Sequence, residues 1–226
     1  LSMFGVGLLG CATVARGAEE DLGEEGFVDS DGVKIHYVTA GEGPLVVLIH
    51  GFPDYWYTWR AQMPELAKHF KVVAIDMRGY NKSDQPEGVD NYKVDKLVAD
   101  IDAVVRHFGR DKAIIVGHDW GGFVAYRMLL AAPDRFDGYL VCNMAHPWQT
   151  PRTTLPHFWR FLAYQPFVAS VGVALHRHTR YLERVVFAFG PKAHRVDPAA
   201  AKIYADRFRD PVVARTARDT YRTFLL

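Results

Sequence analysis

The chain has 226 residues, 49% hydrophobic and 23% charged, enough for one large domain, or a domain with a smaller insertion, around a sizeable buried core. Lys and Arg number 27 against 26 Asp and Glu, and the formal net charge of +1 comes without any basic run, which points away from nucleic acid or an acidic partner. Aromatic residues make up 13%, which suits a packed core or an apolar pocket for a small organic molecule.

Residues 1–26 stand apart from the rest. Met3 to Ala15 is apolar and rich in Gly and Ala, and Ala15-Arg16-Gly17-Ala18 follows it, as expected of an export signal directing the chain to the periplasm or beyond. The charged start of such a signal is missing, so a disordered apolar tail on a cytoplasmic protein is the alternative. Leu8-Leu9-Gly10-Cys11 is a weaker match to a lipoprotein cleavage box. The stretch is too short and too Gly-rich for a membrane span, and no integral span is expected. With Cys11 removed or lipidated, Cys142 stands alone and no intrachain disulfide remains.

From Phe27 to Tyr37, Asp31-Gly32 separates two short runs of strand-forming residues, which predicts a hairpin at an antiparallel edge. Leu45 to Ile49, Val72 to Ile75 and Ala113 to Val116 are continuous apolar runs, as in strands buried on both faces of a parallel sheet. Helical spacing of apolar residues falls between them, over Tyr57 to Phe70 and Tyr92 to Phe108. A further helix is predicted over Gly122 to Ala132, stopped by Pro133, and then a strand over Gly138 to Met144. Alternating strands and helices give a mostly parallel α/β sheet with helices on both faces over residues 27–147. From 148 to 226 only helices are predicted, near Leu155 to Ala163, Val171 to Phe189, Pro198 to Arg209 and Pro211 to Leu225. This region reads as a helical cap.

Chemistry is carried by the strand Ala113 to Val116 running into Gly117-His118-Asp119-Trp120-Gly121-Gly122 and a helix. This is the strand, tight turn and helix of a nucleophile elbow, with Gly117 and Gly121 as the small residues two before and two after the nucleophile. The Trp120 amide points toward charge that develops during attack. Asp119 takes the place usually held by Ser, and a carboxylate can attack a saturated carbon without first losing a proton, giving an alkyl ester that water must hydrolyse. Opening of an epoxide and displacement of halide both suit such a start. An ordinary helix-capping Asp is the competing reading of Asp119.

His50-Gly51-Phe52-Pro53 follows the strand Leu45 to Ile49, and together with the elbow it resembles the epoxide-hydrolase type of α/β-hydrolase. The resemblance implies a second oxyanion-hole amide from Phe52 and a cis bond before Pro53. Haloalkane dehalogenases usually have Asn at the Phe52 position and fluoroacetate dehalogenases Arg at the Trp120 position, so a dehalogenase ranks second. A catalytically inactive ligand-binding member of the fold is a third reading. Asp76 to Asp84 is also similar to the family and reads as structural. His50 and His118, beside buried strands, read as structural too.

The family's cap supplies two Tyr hydroxyls to the epoxide oxygen, because an alkoxide leaves poorly without a donor. Tyr221, directly before Arg222, resembles the second, and Tyr164 is the best match for the first, with Tyr181 and Tyr204 as competitors. Trp120, Trp148, Phe158 and Trp159 are candidates to line the substrate groove. The family also needs a His to activate water and an acid to orient it, on loops beyond the cap. His146, His157, His176, His178 and His194 follow Asp119, but none lies in such a context. A fragment lacking the last core strands is the expected explanation. No cofactor or metal is expected, and the partner is a small apolar organic substrate.

Overall fold

A computed structural model describes residues 22–148, 151–187 and 197–225, without the side chains of 151–164, 185, 224 and 225. The proposed export signal and Cys11 lie outside the described residues. Six strands form one sheet in the order β1-β2-β4-β3-β5-β6: β1 (Glu24–Ser30), β2 (Val33–Ala40), β3 (Leu45–Ile49), β4 (Lys71–Ile75), β5 (Ala113–His118) and β6 (Phe136–Cys142). β1 and β2 form the expected hairpin, with Asp31 and Gly32 both at positive φ as a tight turn requires. β2 also runs antiparallel to β4, and the pairs β4–β3, β3–β5 and β5–β6 are parallel. Every residue of β3 is buried, and so is β4 from Val72 on, which is why their sequences are continuously apolar.

The helices are α1 (Met63–Leu66), α2 (Val94–His107), α3 (Trp120–Ala131), α4 (Pro151–His178), α5 (Pro198–Arg207) and α6 (Pro211–Leu225). α2 buries Leu97, Ile101, Val104 and Val105, three and four residues apart.

Three expectations need correction. The helix expected over Tyr57 to Phe70 is a 3-10 turn at Trp56–Trp59 followed by the single turn α1. Trp56 and Tyr57 are buried, and the Trp56 amide donates to Asp76 at 2.9 Å, so tertiary contacts override the local period. The segments expected as two helices either side of Pro166 join in α4 as far as His178, and a π-helical turn follows at Leu182–Val186. A Pro inside a helix loses one backbone bond but does not always end it. The last strand, expected over Gly138 to Met144, runs from Phe136 to Cys142 as β6, with Tyr139 and Leu140 exposed; among the described residues it pairs only with β5.

α6 is tied to loops of the core at three points. The Thr216 hydroxyl donates to the Gly79 carbonyl at 2.6 Å, Arg215 to that of Gln85 at 3.1 Å, and the Thr223 hydroxyl to that of Tyr92 at 3.3 Å. Arg222 also donates to the Ala169 carbonyl of α4 at 2.9 Å. Among the described residues no helix is long and apolar enough to cross a membrane.

Candidate active site

The site grows out of the end of β5. Asp119 follows with φ 51° and ψ −117°, a strained backbone for a residue with a side chain. Small neighbours make room for this turn. A Cβ on Gly117 would lie 2.5 Å from the Gly121 carbonyl oxygen, and one on Gly121 would lie 2.3 Å from that of Ile49. One on Gly122 would come 2.7 Å from Val141, so α3 lies close against β6. The Asp119 amide donates to the Cys142 carbonyl at 3.1 Å and ties the turn to the end of β6.

Asp119 occupies the N-cap position of α3, but its side chain makes no capping hydrogen bond. Its Oδ1 instead accepts the Phe52 amide at 3.0 Å, across the end of the sheet. Gly51 permits this approach, since a Cβ there would stand 2.4 Å from the Asp119 Cβ. The Phe52–Pro53 peptide is cis. Trp120 begins α3, where the first amides have no partner within the helix.

His50 is held by backbone on both ring nitrogens. Nδ1–H donates to the Gly51 carbonyl at 2.8 Å, and Nε2 accepts the Met77 amide at 3.0 Å. Burial also pulls its pKa down, so the neutral ring joins the loops after β3 and β4. Asp76, fully buried, accepts from the Trp56 amide, the Asn81 side chain at 2.7 Å and the Lys82 amide at 3.4 Å, and its Oδ2 lies 2.7 Å from His36 Nδ1.

Aromatic rings wall the site. The Tyr221 ring meets those of Phe52 and Trp120 edge-on, each at 5.2 Å, and all three residues are buried. The Phe52 ring also meets Phe208 at 5.3 Å and His176 at 5.6 Å. Tyr80 packs edge-on against His50 and Phe208. Burial, and then the nearby Asp119 charge, hold its phenol protonated well above the ordinary range.

The expected site residues do not all gather here. Tyr164, Phe158 and Trp159 have their backbone in α4, but their side chains lie outside the described residues. Trp148 is 64% exposed and packs on His146 at 4.9 Å. Tyr204 accepts a hydrogen bond from Arg60 at 3.1 Å and packs on Tyr55, and Tyr181 lies beside His176. His118 is partly exposed, with Nδ1 3.7 Å from Asp54 and Nε2 3.4 Å from the Asn143 side chain.

Asp54 was not singled out by the sequence, although it directly follows the cis proline. It is buried, and burial above all raises its carboxyl to about 6, with the Asp119 charge adding to the rise and His118 opposing it. A carboxyl whose pKa is raised on folding stabilises the fold below its unfolded value near 4, and that contribution is lost as pH rises through about 6. Asp54→Asn should therefore gain stability over the wild type between pH 4 and 7, by on the order of 3 kcal/mol. Urea unfolding of both proteins at pH 4 and pH 7.5 measures this; a difference independent of pH would contradict it.

A family profile described as the alpha/beta hydrolase fold matches residues 44–223. Over 117 residues, 51% of the chain, the sequence is 48% identical to epoxide hydrolase 1 of Caenorhabditis elegans, and over 158 residues, 64% of the chain, it is 42% identical to epoxide hydrolase 4 of Mus musculus. These matches cover 29% and 44% of the relatives, so the chain spans less than half the length of either. Among solved structures, an epoxide hydrolase from Vigna radiata superposes with a TM-score of 0.71 at 26% identity, over 88% of this chain and 71% of that one. Epoxide hydrolase A from Mycobacterium thermoresistibile gives 0.71 at 26% identity, over 89% and 76%. With a matched region of four-fifths of its length and the sheet order and elbow described above, the chain belongs to the alpha/beta hydrolase fold family.

Proposed function

We propose that the chain carries the ester-forming half of an epoxide hydrolase. The observation that carries this is the Asp119 carboxylate, turned away from its helix and toward the Phe52 amide. In the proposed reaction an Asp119 oxygen attacks an epoxide carbon, the ring C–O bond breaks, and its electron pair goes to the ring oxygen. The Tyr221 hydroxyl donates a proton to that oxygen, with Tyr164 as its partner by resemblance. When water later attacks the ester carbonyl, the negative charge forms on the oxygen beside the Phe52 and Trp120 amides.

That second half needs a base and an orienting acid, as noted for the family, and these are proposed to belong to the whole protein. His118 and His176 lie near the site but neither hydrogen-bonds Asp119 among the described hydrogen bonds. The relatives named as epoxide hydrolases support the substrate class.

Styrene oxide should add the mass of one epoxide to the folded chain, on the peptide that contains Asp119. The adduct should persist for hours, because no base is proposed to assist hydrolysis. An unchanged mass in a folded sample would exclude Asp119 as the nucleophile. Halide release from 1-bromobutane with no reaction toward epoxides would favour the dehalogenase reading instead.

A further inference from the structure

The aromatic wall includes an imidazole that the proposed reaction does not use. His176, near the end of α4, is 2% exposed, and neither ring nitrogen has a hydrogen-bond partner among the described residues. Native proteins rarely leave a buried donor and acceptor unmet, and those that do usually have a functional reason. Rings surround it: Phe208 at 5.5 Å, Phe52 at 5.6 Å and Tyr181 at 6.2 Å. Phe52 is the residue whose amide meets Asp119 and whose ring meets Tyr221. The imidazole thus packs against the residue that joins Asp119 to the aromatic wall.

The kind of group it would take follows from its setting. Burial lowers the His176 pKa to about 4, so at neutral pH the ring is uncharged and offers one N–H donor and one lone pair. A neutral ring in an aromatic box gives no counter-charge to a carboxylate or ammonium, and desolvating either would be unfavourable. An uncharged oxygen meets no such penalty.

We propose that His176 determines substrate preference by hydrogen-bonding an uncharged ether, hydroxyl or carbonyl oxygen on the substituent of the epoxide. The preference is for oxygen-bearing epoxides over hydrocarbon ones of the same shape. The proposal rests on the epoxide reading of Asp119, so its test includes a binding arm that does not depend on alkylation.

Two compounds that differ only in an ether oxygen against a CH2, 3-phenoxypropane-1,2-diol and 4-phenylbutane-1,2-diol, serve as unreactive probes for calorimetric binding to the 226-residue chain. The wild type should bind the ether about fivefold more tightly, the range of one neutral hydrogen bond. His176→Phe should bring the ratio to about one, and His176→Gln, which keeps a donor and an acceptor, should retain part of it. Nitrogen NMR of the wild type should show the His176 ring shifting with the ether and not with its CH2 analogue, a readout that needs no variant to fold.

The matching epoxides, phenyl glycidyl ether and 2-(2-phenylethyl)oxirane, should alkylate Asp119 with the same ratio, lost in His176→Phe. A merely structural His176 would lower the melting temperature of both variants and leave these ratios unchanged. Equal binding of the two diols by the wild type, or a ratio untouched by His176→Phe, overturns the proposal. A ratio lost in binding while neither epoxide reacts upholds recognition by His176 and rejects Asp119 as nucleophile.

Discussion

Asp119→Asn is expected to abolish adduct formation with an epoxide, lowering the alkylation rate by about 10⁴-fold, the scale on which removal of a nucleophile usually acts. The substitution removes the charge and little else. An Asn oxygen can still accept the Phe52 amide, and Asn tolerates the positive φ of this position better than most residues. Melting should therefore change little. A second signal comes from Asp54, whose carboxyl is raised to about 6 partly by the Asp119 charge; it should titrate at lower pH in the variant. Mass spectrometry over time and a pH titration of the Asp54 carboxyl by NMR check the two effects. Alkylation of the variant at wild-type rate, with the Asp54 titration displaced, would place the reaction elsewhere while keeping the geometry.

Gly121→Ala should destabilise the fold by about 3 kcal/mol or more. The new methyl would lie 2.3 Å from the Ile49 carbonyl oxygen and 2.5 Å from that of His50, and backbone cannot step aside as a flexible side chain can. Moving α3 away would also shift the Trp120 amide, so any folded remainder should alkylate slowly. Gly138→Ala is the control in the neighbouring strand: its nearest atom would be 3.9 Å away, and it should change stability by no more than about 0.5 kcal/mol. Denaturant midpoints of the two variants decide this. Equal midpoints would mean that the elbow is looser than its contacts imply.

These glycines explain why the elbow was legible in the sequence. Its constraint is local: a turn that tight must have small residues at two fixed offsets from Asp119, and the apolar run of β5 directly before it sets the direction of the chain. The hairpin, the parallel strands and the family resemblance were legible for similar reasons. Asp54 and His176 were not. Each matters only because of what folding brings to it: Asp54 lies 65 positions before Asp119, and His176 looks like any histidine on a long helix until Phe52 and Phe208 close around it. The position of Asp54 directly after Pro53 was the one available signal.

The bonds from α6 to Gly79, Gln85 and Tyr92 make the helix that carries Tyr221 a mechanical continuation of the core. Tyr221 belongs with the floor, because its helix is fastened to loops that leave the sheet. α4, which carries His176, packs along α6, and Arg222 donates to its Ala169 carbonyl. A push on α4 is therefore passed to α6, whose bonds to the core loops resist it. A substitution that loosens α4 should therefore also be felt at Tyr221, so entry and proton delivery are mechanically coupled.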